Sequence, residues 1–169
     1  MNKLTLISLL SFSLFTACSS DDSKSTISEK GIKTELTESD KNELLALVNK
    51  YRATGCQCGS EYQASTSPVV WNEVLEQAAN GHSNDMNKNN FLQHVGSNGS
   101  TLGSRLVAVS YLYVVAAENI AKGYNTPAAV MQGWINSEGH CKNIMNTQVS
   151  EIGVSKVGSY WTQVFATKR

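Results

Sequence analysis

The sequence predicts an α+β domain, and three patterns predict it. Apolar residues recur at helical spacing through the first half of the chain: Leu44, Leu47, Val48 and Tyr51, then Val74, Leu75, Ala78, Ala79, His82 and Met86. Near the C-terminus Ile152 and Val154 alternate with polar neighbours, Gly158-Ser159 supplies a turn, and Tyr160 to Ala166 alternates again, as a closing hairpin does. Helices therefore come first and strands last, the order of an α+β layered domain. The 169 residues suit one domain, with no internal repeat and no coiled-coil heptads.

The first element is a targeting segment. Lys3 precedes an apolar run, Leu4 to Phe15, broken only by Thr5, Ser8, Ser11 and Ser13, and Thr16-Ala17-Cys18 follows. A basic start, a short apolar stretch and small residues at the end read as an export signal over residues 1–17. The run is too short to span a bilayer comfortably, which takes about 20 residues. A cysteine directly after the small residues resembles a bacterial lipobox, so Cys18 is expected to carry the lipid. Acyl chains contribute ~0.8 kcal/mol per buried CH₂, enough for several on one cysteine to hold a protein at a membrane. Residues 18–40 read as a tether. They contain no aromatic, and Lys24, Lys30 and Lys33 stand against Asp21, Asp22, Glu29, Glu35, Glu38 and Asp40. Such a segment buries too little apolar surface to offset chain entropy. The Cys-Ser-Ser-Asp-Asp start resembles surface-export signals of some Gram-negative lipoproteins.

The folded domain is expected over 41–169. Helix one starts near Ser39, with Asp40 and Glu43 as a capping box, and ends at Thr54-Gly55. A loop carrying Cys56 and Cys58 runs to Pro68. Asn72 caps helix two, residues 87–100 form a polar loop, and a third helix covers Leu102 to Val109. Tyr111 to Val115 is strand or buried coil. Thr126-Pro127 opens a further helix, with the hydroxyl as cap and proline in the first turn, and Val130, Met131 and Trp134 form its apolar face. Trp134 and Trp161 are assigned to the core, Asn98-Gly99-Ser100 to a turn. Net charge is zero with only 17% charged residues, which argues against nucleic acid as a partner.

Four blocks then occur in a fixed order. They are Ala78-Ala79…His82-Ser83-Asn84-Asp85-Met86 with Asn90-Phe91-Leu92-Gln93-His94; Glu118-Asn119-Ile120-Ala121-Lys122-Gly123; Trp134-Ile135-Asn136-Ser137-Glu138-Gly139-His140 with Asn143-Ile144-Met145; and Tyr160-Trp161-Thr162-Gln163-Val164-Phe165. Together they resemble the cysteine-rich secretory / antigen 5 / pathogenesis-related (CAP, or SCP) family over about residues 42 to 166. The resemblance implies an α-β-α sandwich around a central antiparallel sheet. It also implies a cleft lined by His94, Glu118, Glu138 and His140.

Imidazoles converging with carboxylates form a chelating arrangement. His94 and His140 could hold Zn²⁺ or another divalent metal, at ~2.0–2.1 Å and with open positions for water. Glu118 could orient a histidine or polarise a metal-bound water. Without metal, the same groups could hydrogen-bond a polar ligand head, or simply tie loops to strands. His82 lies on the Leu75–Ala79–Met86 stripe and is assigned to the core. Arg105 is a candidate partner for a carboxylate near the cleft. No serine lies in a Gly-x-Ser-x-Gly elbow, so Ser83, Ser137 and Thr162 carry no nucleophile assignment.

Cys56, Cys58 and Cys141 remain beside Cys18. Export favours a disulfide, with Cys141 bound to either Cys56 or Cys58 and one thiol left over. Closing a loop of ~80 residues stabilises by ~4 kcal/mol in the chain-entropy model. The rival is a three-cysteine metal site, although a one-residue gap is tighter than zinc sites usually have. The expectation is therefore a monomeric, lipid-anchored binding module of the cell envelope, at the outer membrane or cell surface. Its ligand would be a small molecule, lipid, glycan or divalent metal. The alternatives are a metal-assisted hydrolase of peptide or envelope substrates, with Glu118 as base, and a structural or adhesive surface domain.

Overall fold

The structure is a computed structural model and describes residues 35–169. The expected signal peptide, Cys18 and most of the tether lie outside the described residues. No helix among the described residues is long and apolar enough to cross a membrane.

Helix α1 spans Glu38–Thr54. Its cap is Thr37 rather than Asp40: the Thr37 hydroxyl accepts from the Asp40 N–H at 3.2 Å, and the Asp40 carboxylate accepts from the Thr37 N–H at 2.9 Å. The expected box thus sits three residues earlier, because Asp40 fits the return position of the motif. The stretch expected as a loop folds into a small hairpin, β1 (Cys56–Cys58) and β2 (Glu61–Gln63), turning at Gly59, whose φ of +62° suits glycine.

β3 (Val70–Trp71) leads to α2 (Glu73–Asn89), capped by Asn72 as expected, with its side chain accepting from the N–H groups of Val74 and Leu75. The helix α3 (Leu102–Ala108) follows, and then β4 (Tyr113–Lys122), which is twice the length the aromatic stretch suggested and carries the Glu-Asn block itself. Helices α4 (Pro127–Ile135) and α5 (Glu138–Ile144) precede the closing hairpin of β5 (Glu151–Val157) and β6 (Tyr160–Lys168).

The four-stranded sheet runs β3-β5-β6-β4. Its β4–β6 and β5–β6 pairs are antiparallel, and only the two-residue edge strand β3 pairs in parallel. One face carries α1, α4 and α5 through Leu44, Val48, Met131, Trp134, Ile152 and Trp161. The other carries α2 and α3 through Leu75, Ala79, Leu106 and Val164. This is the α-β-α sandwich that the sequence resemblance implied. The two core tryptophans find acceptors for their N–H groups, Trp134 at Ile120 O (3.3 Å) and Trp161 at Tyr124 O (2.9 Å), as buried indoles require. Gly153 lets α2 lie against the sheet, since a Cβ there would strike the backbone of Leu75 and Glu76.

One buried cation staples the α1 layer. Arg52 is fully buried, and its guanidinium donates to four carbonyls: Ser67 at 2.7 Å, Ile144 at 2.7 Å, Asn146 at 2.9 Å and Val149 at 3.2 Å.

Candidate functional site

The site starts from the pleat of β4. Successive strand residues face opposite sides of a sheet, so Glu118 is sent to the α2–α3 layer and Asn119 to the α5 layer. Each builds a separate network there.

On the first side the Glu118 carboxylate is nearly enclosed, its side chain 3% exposed. Oε2 accepts from the Arg105 guanidinium at 2.7 Å, and Oε1 accepts from His94 Nδ1 at 2.9 Å. Arg105 comes from α3, and its guanidinium also donates to Ser100 O (3.0 Å) and His94 O (3.2 Å), which fixes the loop that carries His94. His82, on α2, lies 3.9 Å from Glu118 Oε1 and donates through Nε2 to Gln93 O at 2.9 Å. Both of Glu118's oxygens are thus occupied, by a cation from one helix and an imidazole from a loop.

A carboxylate only accepts, so His94 Nδ1 carries the proton, and Nε2 keeps its lone pair when the ring is neutral. His94 is the outlet of the network, with 57% of its side chain exposed. The hydrogen bond to Glu118 raises its pKa against a smaller opposing effect of burial. Burial lowers the pKa of His82, partly offset by the Glu118 charge.

On the second side the Asn119 amide donates to His140 O at 3.2 Å and to Gln163 Oε1 at 2.9 Å. Asn143 donates to Glu118 O at 3.1 Å and to Asn119 Oδ1 at 2.8 Å. These amides lock α5 to β4 and β6, and so set His140. Its ring makes no side-chain hydrogen bond among the described residues, and its pKa is lowered, first by burial and then by the charge of His94. His140, Leu92, Ile120, Tyr124, Trp134 and Ser137 line a cavity of about 330 Å³, within the range of small-molecule sites. A second cavity, about 360 Å³, opens beside His82 and Arg105 between α2 and α3.

Of the four residues expected in the cleft, His94 and Glu118 are in direct contact, and His140 senses the charge of His94. Glu138 is engaged elsewhere: its carboxylate takes Lys142 at 2.8 Å, one helical turn on, and lies against Gly59 of the hairpin. Asn119, Asn143 and Gln163 were not singled out in the sequence, although they lie inside the matching blocks. The signal for Asn119 and Gln163 was position, since a buried strand residue with an amide side chain needs partners, and Asn143 on α5 is one of those partners.

The cysteines form a separate cluster. Cys58 and Cys141 are disulfide-bonded and Cys56 is a free thiol. Among the described residues, these three provide the one trio of His, Cys, Asp or Glu ligand atoms lying within 4.8 Å of one another.

The model of the cysteine-rich secretory protein family (CAP) matches residues 45–166. The uncharacterized protein YkwD of Bacillus subtilis (strain 168) is 40% identical over 103 residues, which are 60% of this chain and 40% of that protein. The crystal structure of an extracellular protein containing an SCP domain, from Bacillus anthracis, superposes with a TM-score of 0.67 at 31% identity, covering 79% of this chain and 44% of that one. The structure of NaASP2 with Zn²⁺ shares the fold at 14% identity, TM-score 0.52, over 77% of this chain and 80% of that one. The chain spans less than half the length of the first two. Fold, block order and family match agree: this chain belongs to the cysteine-rich secretory protein (CAP) family.

Proposed function

We propose that the protein is an extracytoplasmic binding module, held at the outer membrane or cell surface by a lipid on Cys18. Its cleft takes a small ligand or a divalent metal at His94 and His140. The observation that carries this reading is the commitment of Glu118. A general base must be within reach of the water it activates. Glu118 is 3% exposed, with one oxygen on Arg105 and the other on His94. It therefore orients the imidazole instead of attacking through water, which favours binding over hydrolysis.

The donor set fits a metal only in part. In this reading His94 Nε2 and the His140 ring would be the nitrogens that hold Zn²⁺, while Glu118 and Glu138 have their carboxylates engaged. Zinc held by two imidazoles would supply a Lewis-acidic centre with open positions. The 330 Å³ cavity beside His140, walled by Leu92, Ile120 and Trp134, suits the apolar part of an amphiphilic ligand.

Calorimetry with Zn²⁺ on the full chain in a Cys18→Ser background tests the metal reading. His94→Ala and His140→Ala should each weaken binding by at least about tenfold. Equal binding in all three would end the metal reading and leave the small ligand. Incorporation of labelled fatty acid should vanish in Cys18→Ser; label that persists would remove the anchor.

A further inference from the structure

The cysteine cluster is not used by the cleft, and its arrangement has a reactive asymmetry. Cys56 and Cys58 are two apart on β1, so the pleat turns both toward the same side, where α5 presents Cys141. Cys56 Sγ lies 3.4 Å from Cys141 Sγ and 3.9 Å from Cys58 Sγ. Cys58 and Cys141 are fully buried, whereas Cys56 is only half-buried. The disulfide is thus shut off from solvent, and the sulfur within reach of it that has some exposure is that of Cys56.

We propose that Cys56 is a thiol port through which external thiols exchange with the buried Cys58–Cys141 disulfide. In the first step the Cys56 side chain turns into line with the Cys58–Cys141 bond and its thiolate attacks Cys141 Sγ. A Cys56–Cys141 bond forms, the Cys58–Cys141 bond breaks, and Cys58 leaves as a thiolate that takes up a proton. Two electrons stay in the cluster, and nothing is oxidised overall. In the second step an external thiolate attacks the half-buried Cys56 sulfur. A mixed disulfide forms there and Cys141 leaves as a thiolate, so the external thiol is oxidised and the cluster reduced. The substrate class is a small or peptide-borne thiol. Thiol–disulfide exchange needs this kind of access, and it needs a thiolate. Burial raises the pKa of Cys56. Exchange is accordingly slow near neutrality and speeds up about tenfold per pH unit until that pKa is passed.

The test follows reduction of the disulfide by a monothiol, 2-mercaptoethanol, in native buffer on the full chain carrying Cys18→Ser. Adding Cys56→Ser should slow reduction by at least about tenfold, while the two proteins reduce equally fast in denaturant. Equal rates in native buffer would overturn the proposal. A second measurement works without the variant. The Cys18→Ser chain is incubated at about pH 8.5, where free thiols ionise, then capped with N-ethylmaleimide and mapped by mass spectrometry. Label divided between Cys56 and Cys58 supports the port, and label confined to Cys56 after hours overturns it.

Discussion

Two buried charges organise this molecule, and they behave differently. Arg52 is wholly enclosed and gives its donors to four backbone carbonyls, so nothing about it reaches solvent. Glu118 is about as deep, but one of its two oxygens grips a half-exposed histidine. Burial of a charge therefore does not by itself mark a site. What separates the two is that Glu118 has a partner, His94, that carries its influence outward.

That contrast can be broken by substitution. Arg52→Met should cost the most: four carbonyls lose a charged donor in one step, and each unsatisfied buried acceptor costs about 1–3 kcal/mol, so a loss of roughly 3 kcal/mol or more is expected in denaturant unfolding. Ligand binding by the chain that remains folded should be unchanged. A loss of less than about 1 kcal/mol would mean that water takes over those carbonyls.

Glu118→Gln should cost less, because Gln still accepts from Arg105, but it should change the outlet. The raised pKa of His94 depends first on the Glu118 hydrogen bond, so the His94 ring signals in NMR should titrate at lower pH in the variant. An unmoved midpoint would detach His94 from Glu118.

The smallest effect is in pH. His94, with its folded pKa raised, contributes stability that is present below the unfolded value of about 6.5 and lost as pH rises through the folded value. His82 and His140, with folded pKa values lowered by burial, contribute the opposite slope: stability is held above about 6.5 and falls on acidification. Wild type should therefore lose stability less steeply than His94→Ala between about pH 7 and 5. Parallel curves would remove His94's share. Arg52 stays charged throughout and contributes no slope in this range.

The long elements were legible because their periodicity is local. The α2 stripe identified His82 as a core residue, and Thr126-Pro127 marked the start of α4. The blocks in order named His94, Glu118 and His140. What stayed hidden depends on distant pairing. Arg52 lies one turn beyond Val48 on α1, and its role shows only once carbonyls more than 90 positions away close over it. Three-residue β1 and two-residue β3 are too short to show alternation, so the first was expected as loop. Cys56 and Cys58 lie two positions apart in what reads as one loop, so the sequence left both open as partners for Cys141. Glu138 carries the right chemistry, but Lys142 at helical i,i+4 spacing claims it first.

The glycine in β5 has a last consequence. Where Gly153 meets the start of α2, the gap between helix and sheet is thinner than one methyl group. The same helix bears His82 two turns further on. A Gly153→Ala change would wedge the helix off the strand and tilt the imidazole away from the acid, so a hydrogen atom in place of a side chain fixes how deep the histidine network can sit.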